Sequence, residues 1–477
     1  MTDAFDEATI VPDCEPAVST LVLFGRTPAR VASMAGVMAE WMTGEGAGVR
    51  LSDVAHTLNH HRAWHPFFAT VCARDCAQAV AGLAALATGR AAQGVVGPHD
   101  GPCAPGTVFV YSGQGSQWAG MGRQLLADEP EFAAAVTELE PVFVEEVGFS
   151  LQQVLAAGGP VVGEARVQPV LMGLQLALTE LWRAYGTIPD AVVGHSMGEV
   201  TAAVVAGALS VAEGLQMIAI RSRLMARLAG RGTMASLELD AARTARLIGD
   251  YPGVTVAGIS SPRQTVVAGP PAQVDAVITA VRQRNRFARR LNVEVASHSP
   301  LMDPIVPELR AALVDLKPGK LVVPFISTVT DTACTPVLDA EYWVANLRQP
   351  VQFSSAIAAA AKNNATFIEI SPHPMLTHAI TETLGEAHHH SVGTLWHDGD
   401  DTLRFHTNVN ATHGVYPPET PHPPEPHPVL PTMPLQHTRF WISTAGARRS
   451  GQGVQSGADA RRTGRSLQLI SVRRSKG

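Results

Sequence analysis

Gly194-His195-Ser196-Met197-Gly198-Glu199 is the stretch on which the rest of the chain turns. It follows the short apolar run Ala191, Val192, Val193 and precedes small residues, Ala202, Ala203, Val204 and Ala206, that read as a helix. Gly-x-Ser-x-Gly between a strand and a helix is a nucleophile elbow. Its glycines allow a turn too tight for side chains, so the serine hydroxyl stands exposed at a helix N-terminus, where backbone N–H groups can hold an oxyanion. The pattern is short and common, so a base and a substrate anchor elsewhere must give it meaning.

Upstream, a strand over 107–111 runs into Ser112-Gly113-Gln114-Gly115-Ser116-Gln117, which reads either as a close backbone approach to a ligand or as an ordinary strand-to-helix turn. Helices follow over 131–145 and 167–185, the second carrying Gln168. Downstream, Ser210 and Glu213 form a capping box that opens a helix to about residue 229. On a 100° wheel Met217, Ile218, Leu224, Met225 and Leu228 share one stripe, and Arg221 sits in its middle. A buried arginine needs an anionic partner, because an unpaired buried charge costs several kcal/mol. Either a fixed carboxylate of the protein or a carboxylate arriving with the substrate would serve.

Residues 233–295 change pattern to strand, helix, two strands, helix, strand, the order of a ferredoxin-like insert. The insert ends at Val295-Ala296-Ser297-His298. Alternation of helix and strand then resumes, with a helix over 300–315, a strand over 324–329, Tyr342 to Leu347 leading into a helix from Val351, a strand over 366–370 and a helix to Leu384. His388, His389 and His390 read as a solvated loop rather than a metal site. Before the large unit, 18–105 reads as a small α+β unit with strands over 21–25 and 67–72, helices over 27–42, 51–60 and 77–87, and a linker over 94–106. The expected division is 1–17 disordered; 18–105 linker domain; 106–232 with 296–396 large α/β subdomain; 233–295 small subdomain; 397–443 extended, proline-rich linker anchored by Leu435, Phe440 and Trp441; and 444–477 disordered.

The bulk properties set limits. A chain of 477 residues, 46% hydrophobic and 16% charged, can bury more than one core. A net charge of −6 and a pI near 6.3 give no global reason to bind nucleic acid or an anionic membrane. No apolar run approaches the roughly 20 residues of a membrane span, and the acidic N-terminus is unlike a signal peptide, so a cytoplasmic location is expected. Five scattered cysteines indicate neither a disulfide framework nor a zinc site, and buried free thiols are expected.

Taken together, Gly113-Gln114-Gly115-Ser116-Gln117, the elbow, the stripe arginine, Ala296-Ser297-His298 and the closing Pro431-Thr432-x-Pro434-x-Gln436-x-x-Arg439-Phe440-Trp441 resemble the acyltransferase portion of a modular type I polyketide synthase. The match covers about residues 19–442, from the linker after a ketosynthase to the linker after the acyltransferase. The pairing of Met197 with Ala-Ser-His looks most like the methyl-branched-lipid synthases of mycobacteria, the mycocerosic acid synthase type.

The resemblance implies a parallel-sheet, FabD-like acyltransferase domain with a ferredoxin-like insert. It makes Ser196 the nucleophile and His298 the general base, with Arg221 on the free carboxylate of a malonyl-type group. It puts the backbone N–H groups of Gln114 and Met197 in the oxyanion hole and uses the main-chain carbonyl of Asn346 to orient the histidine. Gln168 and His195 are implied near the pocket. Val295, Ser297 and Met197 would set extender choice, with methylmalonyl favoured over malonyl because Ser297 stands where malonyl-selective relatives carry phenylalanine. No cofactor or metal would be resident. The substrate would be malonyl-CoA or methylmalonyl-CoA, the partners an acyl carrier protein bearing phosphopantetheine and a ketosynthase or other synthase domains. Two other readings stay open: a serine hydrolase or thioesterase, which needs an acid between serine and histidine, and an inactive synthase fragment acting as a docking scaffold.

Overall fold

The computed structural model describes residues 16–412 and 427–434. The expectations for 1–15, for most of the proline-rich segment, for Leu435, Phe440 and Trp441 and for the tail lie outside the described residues. Twelve strands build three sheets there.

The first sheet is antiparallel, with β1 (Ser19–Gly25), β2 (Phe67–Ala73) and β3 (Val95–His99) in that order. Helices Pro28–Thr43, Leu51–His60 and Cys76–Ala87 pack on it around Leu21, Leu23, Met38 and Leu83. The third strand corrects the linker expected over 94–106. Gly94, at φ +79°, turns the chain so that Val95 and Val96 pair with Val71 and Thr70.

The large sheet contains β4 (Thr107–Tyr111) and β5 (Ala191–Gly194). The chain then leaves it to build β6 (Thr233–Leu237), β7 (Thr255–Ser261), β8 (Gln264–Gly269) and β9 (Ala288–Arg290). It returns with β10 (Phe325–Ile326), β11 (Thr366–Ile370) and β12 (His390–Val392). The order β10-β5-β4-β11-β12 is wholly parallel. Its strands are almost continuously apolar because helices cover both faces. The inserted strands pair antiparallel in the order β7-β8-β6-β9, which with helices Ala241–Ile248 and Pro271–Arg282 is the ferredoxin-like arrangement.

Four further expectations change. The strand over 324–329 shrinks to Phe325–Ile326, because the Thr328 N–H serves a buried carboxylate, that of Glu199, instead of a neighbouring strand. The helix over 300–315 is a 3₁₀ turn, Pro300–Ile305, followed by Val306–Ala312, since Pro304 and Pro307 cannot donate to a continuous helix. His390 opens an edge strand rather than lying in a loop. Residues assigned to the linker from 397 include the helix Asp401–Ala411, capped by Asp400; it sends Phe405 and Val409 into the large core and Leu403 against Val18 and Cys72. Of the described cysteines only Cys72 is buried, and Cys334 is exposed.

Candidate active site

Ser196 stands two residues past the end of β5, at φ +57°, in the left-handed region. Such a conformation costs a non-glycine residue of order 1–3 kcal/mol and persists only where the surroundings enforce it. They do so here. A Cβ on Gly194 would lie 2.2 Å from the Glu199 nitrogen, and one on Gly198 2.2 Å from the Tyr111 carbonyl oxygen. Glycine is therefore the residue that closes this turn between β4, β5 and helix Gly198–Val205. The His195 N–H donates to the Tyr111 carbonyl at 2.8 Å, fastening the elbow to the end of β4.

Ser196 Oγ lies 2.7 Å from Nε2 of His298, which reaches it from the exit of the insert, 102 residues later. His298 is also left-handed, at φ +60°, and its N–H donates to the Leu347 carbonyl. Its Nδ1 is 3.0 Å from the Gln349 carbonyl oxygen. A carbonyl can only accept, so Nδ1 carries the proton and Nε2 is left to accept from the serine. This corrects the carbonyl expected from Asn346: the hydrogen-bonded one is three residues further on, and Asn346 adds a smaller effect in the same direction. Burial, then Arg221, then His195 push the His298 imidazole down to about 3, so it is neutral at physiological pH. Burial likewise lowers His195, to about 4.

Arg221 occupies the buried face of helix Val211–Ala226, 3% exposed. Its Nη2 donates to Ser196 Oγ at 3.2 Å and its Nη1 to Asn346 Oδ1. Among the described residues no carboxylate forms an ion pair with it, and its buried Nε has no hydrogen-bond partner. Burial lowers the guanidinium to about 10, against the pull of Glu199 and Glu164, so it remains a cation.

Asn346, on helix Ala340–Arg348, acts through its side chain. Its Nδ2 donates to the Ser196 carbonyl at 3.1 Å and to Glu199 Oε2 at 2.8 Å. Glu199 is fully buried and also accepts from the Tyr342 hydroxyl and from the N–H and hydroxyl of Thr328. Burial raises its carboxyl while these donors lower it. The sequence displays Glu199 as the last residue of the motif but gives it no task. Its role depends on Thr328, Tyr342 and Asn346, more than 120 positions away.

The serine opens into a cavity of about 80 Å³ between the large subdomain and the insert. Gln114, Gln168, His195, Val295 and Ser297 all line it, with Met225, Met234, Val266 and Val293 as apolar wall. Gln168 Nε2 donates to Gln114 Oε1 at 3.1 Å, and Gln114 Nε2 to Glu164 Oε1 at 3.1 Å. Neither the Gln114 nor the Met197 backbone N–H has a hydrogen-bond partner among the described residues. The Met197 side chain departs from an expectation: it is fully buried in the large core and, like Arg221 behind the serine, is not among the residues that line the cavity.

A neutral histidine on a serine, free backbone donors and a buried cation can together form and decompose an ester of an anionic acyl group. Comparison with known proteins agrees. A family model described as acyl transferase domain matches residues 108–416, which includes the helix Asp401–Ala411. One phenolphthiocerol/phthiocerol polyketide synthase protein of Mycobacterium tuberculosis is 58% identical over 440 residues, 90% of this chain and 29% of that protein. A second phenolphthiocerol/phthiocerol polyketide synthase protein of the same organism is 60% identical over 438 residues, 90% and 23%. The chain thus spans under a third of the length of these relatives. The acyltransferase domain of the polyketide synthase PpsC from M. tuberculosis is 56% identical with a TM-score of 0.61, covering 67% of this chain and 98% of that one. The acyltransferase domain from module 8 of the salinomycin polyketide synthase is 37% identical with a TM-score of 0.77, covering 84% and 96%. Sequence and structure agree that this chain belongs to the acyl transferase domain family, as an acyltransferase domain of the polyketide synthase kind.

Proposed function

We propose that this domain moves a malonyl-type extender unit, methylmalonyl in preference to malonyl, from a CoA thioester through an ester on Ser196 to the phosphopantetheine thiol of an acyl carrier protein. The observation that carries this reading is Arg221, a buried cation 3.2 Å from the nucleophile with no ion-pair partner among the described residues. A carboxylate on the incoming acyl group supplies that partner, and the charge match orients the thioester carbonyl toward Ser196.

The Nδ1 proton of His298 is held by the Gln349 carbonyl, and Nε2 takes the Ser196 proton as Oγ bonds to the thioester carbon. The N–H groups of Gln114 and Met197 hold the resulting oxyanion, each such donor contributing about 2.7–4 kcal/mol. Collapse breaks the carbon–sulfur bond, and His298 returns its proton to the departing thiolate. The carrier thiol then gives a proton to Nε2 and attacks the ester, and Ser196 leaves with that proton. Because Arg221 is one of the charges depressing His298, pairing it with the substrate carboxylate makes the histidine a stronger base when substrate is bound. Ser297 and Val295 leave room for a methyl branch. In a longer synthase the domain serves a ketosynthase and carrier of the same assembly.

Intact-mass analysis after exposure to equal malonyl-CoA and methylmalonyl-CoA tests this. An acyl adduct on Ser196, mainly methylmalonyl and absent from Ser196→Ala, is expected. A mainly malonyl adduct overturns the preference, and no adduct overturns the transfer reaction.

A further inference from the structure

Among the described residues, one group of side chains outside the acyltransferase cavity has the donor chemistry of a metal site. His56 lies on helix Leu51–His60, His61 is that helix's C-cap residue, and His427 begins the short described stretch 427–434. One ring nitrogen from each of the three lies within 4.8 Å of the others. The ring centroids are 5.3 Å apart for His56 and His427, 4.6 Å for His61 and His427, and 5.4 Å for His56 and His61. His56 is buried and His427 half-buried, so two of the three are already largely removed from bulk water.

We propose that His56, His61 and His427 form a binding site for a zinc-like divalent transition metal, which ties residues 427–434 to the first sheet's helical layer. Imidazole suits zinc and its neighbours in the first transition row and does not suit magnesium or calcium, which take oxygen donors. Tetrahedral ligands at the usual zinc–nitrogen distance are about 3.3 Å apart. The three nitrogens, within 4.8 Å of one another, must therefore close by up to about 1.5 Å, within reach of side-chain rotation about a helix end and an extended stretch of chain. No carboxylate or thiolate belongs to the set, so the site carries the metal's full charge among neutral ligands.

The location gives the site its role. The same stretch is already held at three points: Leu430 is buried in the first sheet's core, the Pro431 carbonyl accepts from Arg62 at 2.8 Å, and the Pro434 carbonyl accepts from Arg30 at 2.7 Å. Arg62 and Pro431 are 369 positions apart, so any link here closes a very long loop, the case in which a metal clip restricts the unfolded chain most. Nothing local in the sequence marks these three ligands, because two lie at one helix end and the third far along the chain.

The full chain is dialysed against Zn²⁺, and bound metal and thermal midpoint are measured. Cys103 and His388, 3.2 Å apart on the surface, are a competing soft pair, so Cys103→Ser/His388→Ala serves as background. One bound Zn²⁺ per chain in that background is expected, with at least tenfold weaker binding in His427→Phe and in His56→Phe/His61→Phe, and a zinc-dependent rise in midpoint that both variants lose. Phenylalanine keeps the ring packing, so each variant can be checked for a normal midpoint without metal. Binding that survives these substitutions, that disappears with Cys103 and His388 alone, or that is absent from the unaltered chain overturns the proposal.

Discussion

Arg221→Ala separates anchoring of an anionic acyl group from every other function of the elbow. The guanidinium is 3% exposed and 3.2 Å from Ser196 Oγ, and the serine lines a cavity whose wall includes Met225, Met234, Val266 and Val293. A carboxylate brought there without its cation is stranded in an apolar cavity, and breaking a buried ion pair costs about 3–5 kcal/mol. At 1.36 kcal/mol per decade this is a loss of roughly 160- to 5,000-fold in kcat/KM for malonyl-type thioesters. The same substitution removes the hydrogen bond to Ser196 Oγ, a neutral acceptor, worth about 1 kcal/mol or fivefold. Acetyl-CoA has no carboxylate and suffers only the losses common to both thioesters, that bond and the one from Arg221 to Asn346 Oδ1. Stopped-flow CoA release, with malonyl-CoA and acetyl-CoA compared on unaltered and variant protein, reads the ratio directly, and a thermal melt confirms that the fold persists. Equal losses for the two thioesters would refute the argument, since Arg221 would then serve the elbow and not the acyl group.

Three other outcomes follow from the geometry. His298 is held near 3 while the same group in an unfolded chain titrates near 6.5, so between those values the unfolded state binds the extra proton. The stability contributed by burying it neutral is complete above about 6.5 and drains away as pH falls toward 3; urea unfolding from pH 4 to 7 should show a shallower pH slope for His298→Asn than for the unaltered chain. Glu199→Gln replaces one acceptor oxygen by an NH2 donor that faces the donors of Thr328 or those of Tyr342 and Asn346, leaving at least one buried donor unmatched, and should lower unfolding free energy by about 1–3 kcal/mol in urea titration. Ser297→Phe fills the space beside Met234 and should cut the methylmalonyl-to-malonyl adduct ratio by about 10- to 200-fold in competition by intact mass; an unchanged ratio would mean that another wall sets the choice.

Much of the site is legible in the chain because local rules wrote it there. Gly194 and Gly198 mark a turn whose backbone admits no Cβ, and the capping box at Ser210 sets the phase that buries Arg221. The order of elements over 233–295 is enough to imply the insert. Where expectation and structure part, a distant partner has intervened. Thr328 leaves its strand for Glu199, β3 forms because Gly94 brings two valines back to β2, and helix Asp401–Ala411 gains its place from Phe405 in the large core. Its position after the serine suggests Met197 for the pocket, but the helix that starts there rotates its side chain into the core.

The sequence by itself determined the elbow with its serine, the buried position of Arg221 and the alternation of strand and helix around them, since each rests on the conformational limits or periodicity of a few neighbouring residues, whereas His298 entered only through the family resemblance. Only the tertiary structure decided what those groups touch: Gln349 ahead of Asn346 behind the histidine, Asn346 and Glu199 under the arginine, and the insert as the far wall of the cavity. Hydrogen-bond partners 50 to 150 positions apart leave no local trace, because the free energy that selects them exists only once the sheets have brought them within about 3 Å.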